Sequence, residues 1–168
     1  YGAPATFFIT GEMAKKHPRI AQKICKNDHE IASHGHSHKS FSEVGSEEAE
    51  AEIAESLKIL GKFQEVKGFR APFLVRNRAT YLACEKLGLE YDSSEHGLKK
   101  YCPSGFKVTV LPVVSPLDTH GLDLMRLRAK DLVTRWLTQF NESDGATVCM
   151  HAWRIGRKKH VKAILEPL

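Results

Sequence analysis

At 168 residues, with 42% hydrophobic and 27% charged side chains, the chain has the size and balance of one globular domain that buries a substantial core. No apolar run is long enough to cross a bilayer, which excludes a membrane-spanning role for this segment. The formal charge of +5 is modest, and its densest basic stretch (Arg154, Arg157, Lys158, Lys159, His160, Lys162) lacks interleaved aromatics, so it reads as a solvated helix face and not as a nucleic-acid site.

Ala5 to Ile9 is a short apolar run suited to a buried strand, after which Thr10 offers a cap to a helical stretch broken at His17-Pro18; Ile20 and Ile24 then share a face. Glu30-Ile31-Ala32-Ser33 has strand character. Ser46 to Gln64 is the clearest helix, with an Ile53, Leu57 and Leu60 stripe opposite Glu47, Glu48, Glu50, Glu52 and Glu55, which read as solvated surface. Gly68-Phe69-Arg70 puts an arginine at a strand end before Pro72, which stops the strand. Asn77 caps a helix through Leu87, closed by Gly88, and strand character resumes over Leu89 to Asp92 and again over Val108 to Leu111. Leu132, Val133, Trp136, Leu137 and Phe140 recur at helical spacing, with Trp136 a core residue, and Gly145 leads into a strand over Ala146 to Met150 that ends on His151.

Strands alternating with helices predict a parallel α/β architecture, in which active groups gather at the C-terminal ends of the strands. Cys25, Cys84, Cys102 and Cys149 show no paired metal-ligand spacing and read as buried thiols, which leans toward a reducing, cytoplasmic setting with one disulfide still open.

The most informative run is His34-Gly35-His36-Ser37-His38. If the chain turns into a helix after the preceding strand, the imidazoles at i and i+4 project from one face, close enough to grip one metal ion, while His36 points elsewhere. A solvated histidine-rich loop gives the same spacing, so the motif needs support. Arg70 and His151, each at its own predicted strand end, supply it, and a shared rim for all of these groups is the expectation.

These residues resemble the polysaccharide deacetylase family, also known as the NodB homology domain or carbohydrate esterase family four. Tyr1-Gly2-Ala3-Pro4-Ala5-Thr6-Phe7-Phe8 is similar to its second strand, His29 to His34 to its approach to a His-x-x-x-His motif, Arg70-Ala71-Pro72-Phe73 to its Arg-x-Pro-aromatic motif, Tyr91-Asp92-Ser93-Ser94 to its later aspartate motif and Met150-His151 to its final histidine motif. The motifs occur in order over nearly the whole chain. Details such as His151-Ala152-Trp153 look closest to the branch with microbial cell-surface deacetylases and allantoinase-like amidohydrolases. The resemblance implies one domain over residues 1–168, an incomplete (β/α)7-type distorted TIM-like barrel with parallel strands.

It also implies a divalent metal, zinc by its usual ligands, at His34 and His38, with the absent aspartate of a family Asp-Asp pair as third ligand and its neighbour as general base. Arg70 would hold that base, the Phe73 backbone N–H would stabilise the oxyanion, His151 would protonate the leaving amine and Asp92 would orient His151. Pro72, Phe73 and Trp153 would line the substrate groove. No Asp-Asp pair occurs in the chain, and Asp28 precedes its strand at the wrong end to replace one. Gly35 stands where the family usually has Ser or Thr, and Cys149 where it often has leucine. The chain is therefore expected to be a fragment, without the family's first and closing strands, that binds metal weakly and is nearly inactive as it stands.

The implied reaction is hydrolysis of a non-peptide C–N amide bond, with N-deacetylation of an N-acetylated polysaccharide or glycan as the leading substrate class. An allantoinase-like activity on a small ureide and a catalytically dead carbohydrate-binding relic are the alternatives.

Overall fold

A computed structural model of the chain describes residues 3–157, 160–166 and 168. They group into two compact units: one runs up to Glu95 and takes in Tyr101–Val110, the other takes His96–Lys100 and Leu111–Leu168.

The first unit contains five parallel strands whose spatial order follows the chain, β1 (Thr6–Ile9), β2 (Glu30–Ser33), β3 (Gly68–Phe69), β4 (Tyr91–Asp92) and β5 (Thr109–Val110). This is the expected parallel α/β arrangement. Between the strands run α1 (Gly11–Lys16), α2 (Pro18–Lys26), α3 (Ser46–Leu60) and α4 (Arg78–Lys86). Their limits follow local chemistry. The Thr10 side chain accepts from the Met13 N–H, Pro18 opens α2 where an N–H would lack a partner anyway, and Asn77 and Thr80 form a reciprocal capping box on α4.

The register decides what the sheet presents. Ile9 is paired with Ser33, Ser33 with Phe69, Phe69 with Asp92 and Asp92 with Val110, so the strands end in one row. The residues just beyond that row, among them His34, Arg70 and Ser93, emerge at the same C-terminal edge. Beneath them lie two buried apolar clusters: in one Phe41 and Phe69 meet edge to face at 5.2 Å beside Ile53, and in the other Ile31 and Leu60 are fully buried. Each such side chain contributes roughly 1.5–3 kcal/mol relative to exposure. The predicted α3 stripe of Ile53, Leu57 and Leu60 is the face that packs here. Gly68 is dictated by close approach, because a Cβ there would lie 1.9 Å from the Tyr91 ring, whose hydroxyl donates to Glu30 at 2.9 Å.

In the second unit, α5 (Ala129–Asn141) buries Leu132, Val133 and Trp136, and the Trp136 indole N–H donates to the Pro116 carbonyl at 2.7 Å. Leu137 and Phe140 stay exposed, narrowing the predicted apolar face. The strand expected over Ala146 to Met150 reduces to a single parallel bridge between Thr147 and Val113. The bridge uses the Thr147 N–H to the Pro112 carbonyl and the Val114 N–H to the Thr147 carbonyl, and the next donor in such a ladder would be Pro116, which has no N–H. His151 consequently ends no strand; it opens the short α6 (Ala152–Ile155).

Two surface expectations also change. The basic stretch is not a uniformly solvated face: Arg154 is buried and ion-paired with Asp123, and His160 is buried with Nδ1 at 3.0 Å from the Arg154 carbonyl. Lys158 and Lys159 lie outside the described residues. Of the cysteines, Cys84 and Cys149 are buried as expected, Cys25 is half-buried and Cys102 is exposed. No helix among the described residues is long and apolar enough to cross a membrane.

Candidate active site

The His34–His38 segment is not a helix. It leaves β2 as an irregular loop in which Gly35 has φ 74° and His38 φ 61°. The reversal still brings the two imidazoles together, with ring centroids 5.0 Å apart and planes inclined by 71°. The His34 Nδ1 lies 2.6 Å from the Arg70 carbonyl oxygen. A carbonyl only accepts, so Nδ1 carries the proton, and a carbonyl holding one ring nitrogen in this way is the arrangement that orients metal-binding histidines. His34 is half-buried and His38 exposed.

Glu52, read from sequence as solvated, is what shapes this loop. Its carboxylate accepts from the Ser37 N–H at 3.1 Å, the Ser37 hydroxyl at 2.9 Å and the His36 N–H at 3.1 Å. Partial burial works against ionisation of Glu52, but the hydrogen bonds from Ser37 and His36 and the nearby His36 ring outweigh it and hold the carboxyl below its ordinary value of 4.5. His36 turns toward α1, where a Cβ on Gly11 would come within 2.6 Å of its Nδ1.

Arg70 is buried just past β3. Its Nε donates to the Ser93 carbonyl at 2.7 Å, an Nη to the Ser93 hydroxyl at 2.6 Å, and its guanidinium lies 4.0 Å from the Phe8 ring centroid. A single arginine thus ties the ends of β1, β3 and β4 together and, through its own carbonyl, fixes His34. Sequence reading expected an aspartate as its partner; these contacts are to Ser93 and Phe8.

Pro72 to Leu74 form a tight turn in which Phe73 and Leu74 both adopt left-handed backbone, φ 61° and 57°. For residues other than glycine each such conformation costs of order 1–3 kcal/mol and persists only where the surroundings enforce it, which is characteristic of functional sites. The turn presents Phe73, 67% exposed, with its ring 5.0 Å from that of His38 and nearly perpendicular to it, while Pro72 is buried.

Asp92 does not serve His151. It is fully buried in the first unit, where it accepts from Arg76 Nε at 3.0 Å and from the Ser94 hydroxyl. Burial pushes its carboxyl above the ordinary carboxylate range, against the opposing pull of Ser94 and Arg76. In the second unit the partner of His151 is Asp118: Oδ1 lies 2.6 Å from His151 Nδ1 and Oδ2 accepts the His151 backbone N–H at 2.7 Å. The carboxylate fixes the tautomer and leaves Nε2 available for proton transfer. The ring of Trp153, 62% exposed, has its centroid 6.1 Å from that of His151. No short-range pattern pointed to Asp118, which lies 33 residues from its histidine.

Among the described residues no group of three or more His, Cys, Asp or Glu side chains gathers as a metal cluster. Two imidazoles with one tautomer already set nevertheless fit a borderline divalent ion such as zinc as a partial donor set.

The sequence profile of the polysaccharide deacetylase family matches residues 1–91, the stretch that contains His34, His38, Arg70, Pro72 and Phe73. Chitooligosaccharide deacetylase of Sinorhizobium fredii is 30% identical over 73 residues, 42% of this chain and 34% of that protein. A peptidoglycan-N-acetylglucosamine deacetylase of Bacillus cereus is 34% identical over 62 residues, 37% of this chain and 22% of that protein. The matched segments thus span about a third or less of these two relatives. Among solved structures, Puue allantoinase superposes with a TM-score of 0.78 at 20% identity, covering 95% of this chain and 58% of its own. A wild-type CE4-family pseudoenzyme from Bacillus anthracis superposes with a TM-score of 0.67 at 18% identity, covering 98% of this chain and 50% of its own. At these identities the structures share the fold with this chain, and the profile match adds the lineage: the chain belongs to the polysaccharide deacetylase family.

Proposed function

We propose that this chain carries the active-site framework of a metal-dependent amide hydrolase that removes acetyl groups from an N-acetylated polysaccharide or glycan. The observation that carries this reading is the His34–His38 pair, with the His34 tautomer set by the Arg70 carbonyl, inside the segment that matches the family. Names of relatives that act on chitooligosaccharide and peptidoglycan N-acetylglucosamine support the substrate class.

His34 and His38 would hold a divalent ion, which when bound supplies Lewis acidity and a water of lowered pKa. The proton of the attacking water would go to the family's general-base aspartate, which this sequence lacks, and the remaining roles fall to residues that are present. The Phe73 backbone N–H donates to the substrate carbonyl oxygen as negative charge develops there, and the strained turn keeps that donor fixed during the reaction. In the first unit Phe73 offers an apolar face to a sugar ring, with Pro72 stiffening its turn, and in the second unit Trp153 offers another. His151, its Nδ1–H committed to Asp118, delivers a proton from Nε2 to the amine as the C–N bond breaks, because an amine leaves poorly unprotonated. Asp118 stabilises the charged imidazolium that precedes this transfer. Arg70 holds His34 and the strand ends in register.

Incubating the chain with zinc and N-acetylglucosamine oligomers, in parallel with allantoin, tests the reading. Acetate release supports it. Ring opening of allantoin in its place moves the activity to a small ureide, which the likeness to the allantoinase fold favours. Oligomer binding with no turnover of either substrate, not even the slow release expected of a chain without the Asp-Asp pair, overturns the hydrolase and leaves a carbohydrate-binding module, the reading favoured by the absence of a third metal-ligating side chain among the described residues.

A further inference from the structure

The left-handed turn at Phe73 and Leu74 needs something to hold it, and burial secures only its start: Ala71 and Pro72 are buried, whereas Phe73 is 67% and Val75 40% exposed. Its local hydrogen bonds, Leu74 N–H to the Ala71 carbonyl at 3.1 Å and Val75 N–H to the Pro72 carbonyl at 3.3 Å, lie within the turn and do not anchor it to the sheet. The anchors lie on either side, and both lead to one carboxylate. Upstream, the Ala71 N–H donates to the Ser94 hydroxyl at 2.7 Å, and that hydroxyl donates to Asp92 Oδ1. Downstream, Arg76 Nε donates to Asp92 Oδ2 at 3.0 Å. The other arm of the Arg76 guanidinium reaches Glu95 Oε2 at 2.5 Å, and its Cζ lies 4.8 Å from the centroid of the Tyr81 ring. Asp92 sits in the strand-end row, fully buried, so this anchor is part of the rigid sheet.

We propose that Asp92, through Ser94 on one side and Arg76 on the other, clamps both ends of the Ala71–Arg76 segment and thereby positions Phe73 against His38. Asp92, Ser94 and Arg76 are then positioning residues of the site. They touch no substrate, and their part in the reaction rests on the deacetylase reading above. Glu95 braces the far arm of Arg76 and keeps the guanidinium plane aligned with Asp92. A buried carboxylate can meet two different hydrogen-bond donors in fixed directions at once, which suits a group that must over-determine a strained turn.

The clamp is read from the His38 ring protons by NMR, since the Phe73 ring stands 5.0 Å away at 78° and displaces their resonances. Phe73→Ala gives the reference shift with the ring removed. In full-length Ser94→Ala and Arg76→Gln, the His38 resonances move at least halfway to that reference, and Arg76→Lys, which keeps the charge but loses the fork, falls between. Resonances unchanged in folded Ser94→Ala overturn the clamp, and this variant decides the matter should Arg76→Gln fail to fold, because it leaves the ion pair intact.

Acetate release supplies the second readout. A drop in kcat toward 10²-fold, on the order expected for misplacing a reacting group by about an ångström, with KM held, supports positioning. Unchanged kcat alongside moved His38 resonances overturns it. A wild-type chain that turns over no substrate counts against the proposed activity alone, and the NMR arm then judges the clamp by itself.

Discussion

Asp118 holds His151 at two points, its Oδ1 at 2.6 Å from the ring Nδ1 and its Oδ2 accepting the backbone N–H at 2.7 Å. Ring orientation and tautomer are therefore set by one buried carboxylate. Asp118→Asn keeps the shape but loses the charge that supports an imidazolium. Initial rates of acetate release should fall toward the whole contribution of a general acid, on the order of 10²–10⁴. His151→Ala should give a similar loss, and the double variant should cost little more than either alone, since the two act as one unit.

The Arg76–Asp92 pair is buried, with side chains 14% and 0% exposed. Removing the cation alone strands a carboxylate away from water. Arg76→Ala should therefore lower stability by about 3–5 kcal/mol. Arg76→Ala combined with Asp92→Asn should recover part of that loss, because the stranded charge is gone. Urea unfolding of the three proteins checks both statements.

Glu52 ties the histidine loop to α3, and its carboxyl is depressed in the folded chain. The sign of the linkage follows: the folded state holds its proton less tightly than the unfolded one, so the contribution is present in full above the unfolded value near 4.5 and is lost as pH falls through the lower, folded value. Melting temperatures measured from neutral pH downward should drop less steeply below pH 4.5 in Glu52→Gln than in the parent. Parallel curves would remove Glu52 from the account.

Much of this was legible in the sequence where the determinants are local. The β1 and β2 strands, the break at Pro18, the Asn77 cap and the α3 stripe depend on residues a few positions apart, and the structure follows them closely. The proximity of His34 and His38 was legible as well, but not its cause. Helical spacing suggested it, whereas left-handed backbone at Gly35 and His38, with Glu52 accepting from the loop 15 residues away, produces it. Asp92 and Asp118 show the opposite failure. Both are acidic residues near candidate chemistry, and only the strand register and the three-dimensional path of the chain determine that the first serves Arg76 and the second His151. The strand predicted over Ala146 to Met150 fails for a related reason: its apolar pattern was adequate, but the neighbouring residue that would donate the next ladder hydrogen bond is Pro116.

The pairing of His34 with His38 as metal donors is best tested by calorimetric titration of the chain with zinc, beside His34→Ala and His38→Ala, with circular dichroism to confirm folding. The account predicts weak, saturable binding that either substitution abolishes, since a catalytic zinc usually has three protein ligands and the two imidazoles are a partial set. Tight binding that is indifferent to both substitutions would contradict it.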